Sequence, residues 1–76
     1  MSELSIMIPN REAVSDFVAL TSRFPFDVDL VQGSKIVDAK SLLGIIYMGL
    51  GKVLSLKFRT ENLADVQSSL KDYIVE

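Results

Sequence analysis

Two side chains that carry much of enzyme chemistry are missing: the chain has no cysteine and no histidine. Without cysteine there is no thiol nucleophile, thiolate metal site or disulfide, which permits a reducing compartment. Without histidine it lacks the one group that titrates near neutral pH unperturbed, the commonest general base and metal ligand. Carboxylates, hydroxyls and amines remain. The ten Asp and Glu residues are scattered, with no pair on one helical face beside a nucleophile. Asp27 and Asp29 share the strand face that Phe26, Val28 and Leu30 leave to water, so they predict a solvated face and no metal site. Met48-Gly49-Leu50-Gly51-Lys52 lacks the first glycine and the following hydroxyl of a phosphate loop, and it precedes a strand. It reads as a helix stop, and no motif in the chain implies a cofactor. Ser41, directly after Lys40 and ahead of an apolar run, is the more informative hydroxyl. As an N-cap it is worth about 1 kcal/mol, and a phosphoryl group on its oxygen would meet free backbone N–H groups and the positive end of the helix dipole.

The run after Ser41 is apolar nearly all round. A helix of about two turns buries one stripe, whereas Leu42, Leu43, Ile45, Ile46 and Met48 surround this one, so some of them must face solvent. Two readings stand open. Either the small domain folds both sides inward, or the segment is a docking patch for a protein, made by Lys40, Leu42, Leu43, Ile46, Tyr47 and Met48.

The elements that position these residues follow from periodicity. Leu4, Ile6 and Ile8 alternate with Ser5 and Met7 as a strand that Pro9 ends. Asn10 is a good N-cap for a helix over 11–23, with Ala13, Val14, Phe17, Val18 and Thr21 as its buried stripe. Residues 26–39 predict a hairpin, with Phe26, Val28 and Leu30 inward, a turn at Gln32-Gly33-Ser34, and a return strand through Ile36 and Val37. Ser41 caps a helix over 42–48 that Gly49 and Gly51 end. Val53 to Phe58 alternates as a last strand. Thr60 or Asn62 then caps a final helix whose stripe is Leu63, Val66, Leu70 and Ile74. The order is β-α-β-β-α-β-α, which predicts an α+β open-faced β-sandwich, a four-stranded antiparallel sheet with three helices on one face.

Seventy-six residues make one domain, 1–76, because a chain this short buries only about 60% of its unfolded surface and has no room for a second core. A hydrophobic share of 49% is enough for it to fold alone. A net charge of −2 leaves no basic face for phosphate backbones, so nucleic acid is not expected as a partner. The longest apolar stretch, 42–50, is well short of the roughly 20 residues that span a bilayer, and no basic start with a long apolar run marks a signal peptide. A soluble protein without a membrane partner is expected, a monomer or a weak homodimer.

The segment Val37-Asp38-Ala39-Lys40-Ser41-Leu42-Leu43-Gly44-Ile45-Ile46-Tyr47-Met48-Gly49-Leu50 closely resembles the regulatory serine region of HPr, the small phosphocarrier of the bacterial sugar phosphotransferase system. The likeness runs back through Ser22-Arg23-Phe24, Val28-Asp29-Leu30 and Lys35, and forward through Lys52 and the last strand. In that family a histidine at the start of the first helix takes phosphate from enzyme I and passes it to sugar-specific IIA proteins, with an arginine two residues on. Counted back without gaps from Ser41, those positions hold Asn10 and Glu12. An amide is no useful phosphoryl acceptor, and a carboxylate repels phosphate where the arginine attracts it.

The resemblance therefore implies a degenerate phosphohistidine site at Asn10 and Glu12, and it is closest to the histidine-lacking catabolite-repression relatives of HPr in bacilli. In those proteins the serine is phosphorylated by HPr kinase/phosphorylase and the product is a corepressor for a LacI-type catabolite regulator. Carried over, this gives a cytoplasmic, non-catalytic regulator of carbon metabolism with Ser41 as phosphoacceptor and Leu42, Leu43, Ile46 and Met48 as docking surface. Its partners are the kinase, a catabolite regulator or phosphotransferase-system components. Glu12, in place of an arginine that belongs to the phosphoserine-responsive surface, points to a changed partner. Two alternatives remain: an atypical carrier using Ser15 or Asp16 as acceptor, and a structural domain that oligomerises through 42–50.

Overall fold

The computed structural model describes residues 2–59, 61 and 63–75. Its elements run β1 (Ser2–Met7), α1 (Arg11–Thr21), β2 (Val28–Gln32), β3 (Lys35–Asp38), α2 (Leu42–Met48), β4 (Val53–Phe58) and α3 (Leu63–Ser69). The four strands form one antiparallel sheet in the order β1-β4-β2-β3. This is the expected open-faced arrangement, and the alternation in the strands explains it. Along β4, Leu54, Leu56 and Phe58 are buried whereas Val53 is exposed, and in β2 Val28 and Leu30 are buried whereas Asp29 is exposed. Only one face is apolar enough to need a cover. The helices supply it with Val14 and Phe17 from α1, Ile45 and Met48 from α2, and Val66 from α3, joined by Leu70 just beyond α3. Across the open face Glu3, Lys57, Asp29 and Asp38 fall in one row of the register. Asp27 and Asp29 are both exposed, as expected.

Several boundaries differ from the sequence expectation. α1 ends at Thr21 and not at 23, because after the Ser22 N–H bonds the Val18 carbonyl the next two N–H groups, of Arg23 and Phe24, turn to carbonyls three residues back, at Leu20 and Thr21, and the last turn tightens. β2 begins at Val28, since its partner β4 ends at Phe58 opposite Val28 and offers Phe26 nothing to pair with. Phe26 instead stacks on Phe24, ring centroids 5.2 Å apart. The two-residue turn of the hairpin is Gly33-Ser34, with Gly33 at φ +59, the left-handed position that glycine fills without a Cβ penalty. Gly49 ends α2 at φ +104, ψ 145, a region open essentially to glycine alone. The expected cap of α3 at Thr60 or Asn62 lies outside the described residues.

Ile74 does not extend the α3 stripe. The chain turns after Ser69, and residues 73–75 run along the outer edge of β1. The Met7 N–H donates to the Tyr73 carbonyl at 2.9 Å, the Val75 N–H to the Ser5 carbonyl at 2.8 Å, and Ile74 bridges Ile6. Tyr73 sets its ring edge-on against Phe17 with centroids 5.1 Å apart. Burial, followed by the negative charges of Asp16 and Asp72, raises its phenol above the usual pKa of 10.0. A group raised in the folded state stabilises the fold fully below its unfolded pKa, and that contribution is lost as pH rises through the folded pKa. Stability is therefore expected to fall above pH 10 as the unfolded chain ionises Tyr73 first. In Tyr73→Phe that part of the alkaline loss disappears, which urea unfolding at stepwise higher pH would measure.

Candidate functional site

The two helix starts singled out in the sequence lie on the helical layer and are built by short-range bonds. At the first, the Asn10 backbone is extended (φ −155, ψ 174) and its Oδ1 accepts the Ala13 N–H at 3.0 Å. The side chain serves as the N-cap, and Glu12, exposed in the first turn, completes a helix start suited to negative charge. Both residues thus have sufficient reasons in helix geometry. The connection that carries Asn10 is fastened to the end of α2: the Gly51 N–H donates to the Ile8 carbonyl at 2.8 Å. The C-terminal end of α2 consequently sits beside the N-terminal approach to α1.

At the second start, the Ser41 Oγ accepts the Gly44 N–H at 3.1 Å, and the Ser41 N–H donates to the Asp38 carbonyl at 3.0 Å. Asp38 also holds the preceding residue, its Oδ1 accepting the Lys40 N–H at 2.8 Å. Two contacts that sequence reasoning missed tie this corner to the far end of α1. The buried Thr21 hydroxyl donates to the Ala39 carbonyl at 2.9 Å, and the Lys40 ammonium donates to the Phe24 carbonyl at 2.8 Å. Thr21 carried a weak signal as the one polar residue in an otherwise apolar stripe; Lys40 carried none. Lys40 is thereby a fastener, with its two remaining protons free to meet an anion. Gly44 is needed for closeness: a Cβ there would lie 3.2 Å from both the Ser41 Oγ and the Val37 Cβ.

Between these corners α2 divides its apolar residues. Ile45 is fully buried, Ile46 is half-buried, and Leu42, Leu43 and Tyr47 are exposed by 44, 78 and 65%. One expected docking residue is corrected: Met48 is 1% exposed and belongs to the core, because it shares the inward side of the helix with Ile45. The exposed surface is therefore Leu42, Leu43 and Tyr47 with Ile46 beneath. The Lys35 ammonium stands 5.0 Å from the Tyr47 ring centroid, a cation–π contact that orients the ring.

The other candidates are not assembled. Ser15 and Asp16 are exposed, more than a turn inside α1. No group of three or more carboxylates able to hold a metal occurs among the described residues. A shallow hollow of about 340 Å³ lies where Phe26 and Phe58 meet Asp27, Asp29, Lys57 and Arg59, unannounced by any motif.

No protein-family model and no curated protein sequence matches the chain. Solved structures do. The crystal structure of HPr-C-His from Thermoanaerobacter tengcongensis superposes with a TM-score of 0.76 at 28% identity, covering 95% of this chain and 89% of that one. The phosphocarrier protein HPr from Bacillus anthracis gives 0.75 at 20% identity, covering 97% and 96%. The histidine-containing phosphocarrier protein of Mycoplasma gives 0.74 at 14%, covering 93% and 89%. No described helix is long and apolar enough to cross a membrane.

Proposed function

We propose that this chain, which has the HPr fold, is a non-catalytic protein of the phosphotransferase system that regulates carbon metabolism in the cytoplasm by docking a protein on α2, under control of phosphorylation at Ser41. The observation that carries the reading is the pairing of an exposed Leu42, Leu43 and Tyr47 surface with Ser41 capping the same helix at its head; the gapless count from Ser41 that sets Asn10 at the family's phosphoacceptor position supports it. Phosphocarrier chemistry needs a nucleophilic nitrogen that an amide does not supply. A phosphoryl group on Ser41 adds about −1.5 to −2 charge beside the docking residues. The remaining Lys40 protons and the first N–H groups of α2 offset that charge, so modification alters the surface while the domain stays folded.

Incubation with ATP and HPr kinase/phosphorylase, followed by mass spectrometry, tests the regulatory part. One phosphoryl group at Ser41 is expected, and none in Ser41→Ala, a variant that also loses about 1 kcal/mol with its cap. An unmodified Ser41 under conditions that phosphorylate an ordinary HPr removes phosphorylation from the proposal. With phosphoenolpyruvate and enzyme I no label is expected on the chain; label on Ser15 or Asp16 would make it an atypical carrier.

A further inference from the structure

The sheet has two edges, and they are treated differently. The outer side of β1 is closed by residues 73–75. β3 pairs with β2 alone, and its other side is uncovered. Antiparallel ladders alternate, so every second residue of an edge strand turns its backbone outward. The parity here is fixed by two observations: the two-residue turn makes Gln32 and Lys35 the hydrogen-bonded pair at its base, and the Ala39 N–H donates to the Val28 carbonyl. Residues 35, 37 and 39 therefore bond to β2, and Ile36 and Asp38 point away from it. The Asp38 carbonyl is taken by the Ser41 N–H. Among the described residues of this edge, Ile36 alone presents both an N–H and a C=O with no bond made, and its side chain is 66% exposed.

We propose that the chain associates with a second copy of itself along β3, Ile36 pairing with Ile36 of the other copy across a two-fold axis, with Leu43 and Tyr47 of both copies closing over the junction. Four features favour a copy over another occupant. A two-fold axis through Ile36 sets its single outward donor and acceptor against the same pair, so both bonds form at once. That register places Lys35 opposite Val37 and Ser34 opposite Asp38, with no like charges facing. An extended peptide would find only this one residue to bond, between a turn at Gly33-Ser34 and a turn at Asp38-Ser41. A copy adds what a peptide lacks. Because α2 lies directly on β3 with Gly44 against Val37, continuing the sheet brings a second α2 alongside the first. Neither proline nor a bulge protects the edge. A heterologous partner on α2 would compete with the second copy for Leu43 and Tyr47, and failure here leaves that reading where it stands.

Sedimentation velocity of the chain alone over a concentration series, with amide exchange of Ile36 followed in parallel, tests the proposal. Mass is expected to rise from monomer toward dimer as the Ile36 amide becomes protected. Ile36→Pro removes an N–H that makes no bond within the monomer, so its circular dichroism should be unchanged while association weakens at least about tenfold. Val53→Asp, on the open face away from this edge, should associate normally. Monomer mass at every concentration would overturn the proposal, as would a dimer that survives Ile36→Pro, including one that only Leu43→Asp dissolves.

Discussion

Phe17→Ala is expected to remove a large share of the domain's stability. Phe17 has no exposed surface, lies at the centre of α1's buried stripe, and is the ring on which Tyr73 rests edge-on at 5.1 Å. Truncating a buried phenylalanine costs about 3–5 kcal/mol, and a domain of this length holds roughly 4–11 kcal/mol in total. The loss reaches beyond the helix, since Tyr73 and its neighbours close the outer edge of β1. Urea unfolding measures it directly. A change below about 1 kcal/mol would show that α1 docks through its half-buried residues, Ala13 and Val18, and not through this ring.

Leu43→Asp and Met48→Ala are expected to separate binding from folding. The two residues sit five apart on one short helix, and their apolar character is the same to a reader of the sequence. Leu43 is 78% exposed, so a charge there changes stability by no more than about 0.5 kcal/mol. If Leu43 anchors a partner in a desolvated contact, the same change removes about 2 kcal/mol of binding, close to a thirtyfold loss. Met48 is 1% exposed, and Met48→Ala costs about 2–5 kcal/mol of stability with no direct effect on a partner. Thermal melts of both variants, with titration calorimetry against a captured regulator, check the pair. Unimpaired binding by a well-folded Leu43→Asp would move the docking surface off α2.

Much of the site was legible because its signals are local. Asn10 and Ser41 are small polar residues standing before apolar periodicity, and each caps its helix through the N–H three residues on. What sequence reasoning missed depends on residues distant in the chain. Lys40 reads as a surface cation, yet it reaches a carbonyl sixteen residues back; Thr21 holds a carbonyl eighteen residues on. Ile74 keeps helical spacing from Leu70, but the edge of β1 offered its backbone bonds that a longer helix would have forgone.

By itself, then, the sequence determined the element order, the inward faces of the strands, both helix caps and the absence of histidine and cysteine, since each depends on the identity or short-range spacing of residues. Only the tertiary structure decided which apolar residues of α2 face water, which sheet edge is closed and how Ser41 is held. Those outcomes depend on which surfaces meet: Leu43 and Met48 are equally hydrophobic, and a sheet packed beneath one side of a seven-residue helix buries one and leaves the other exposed.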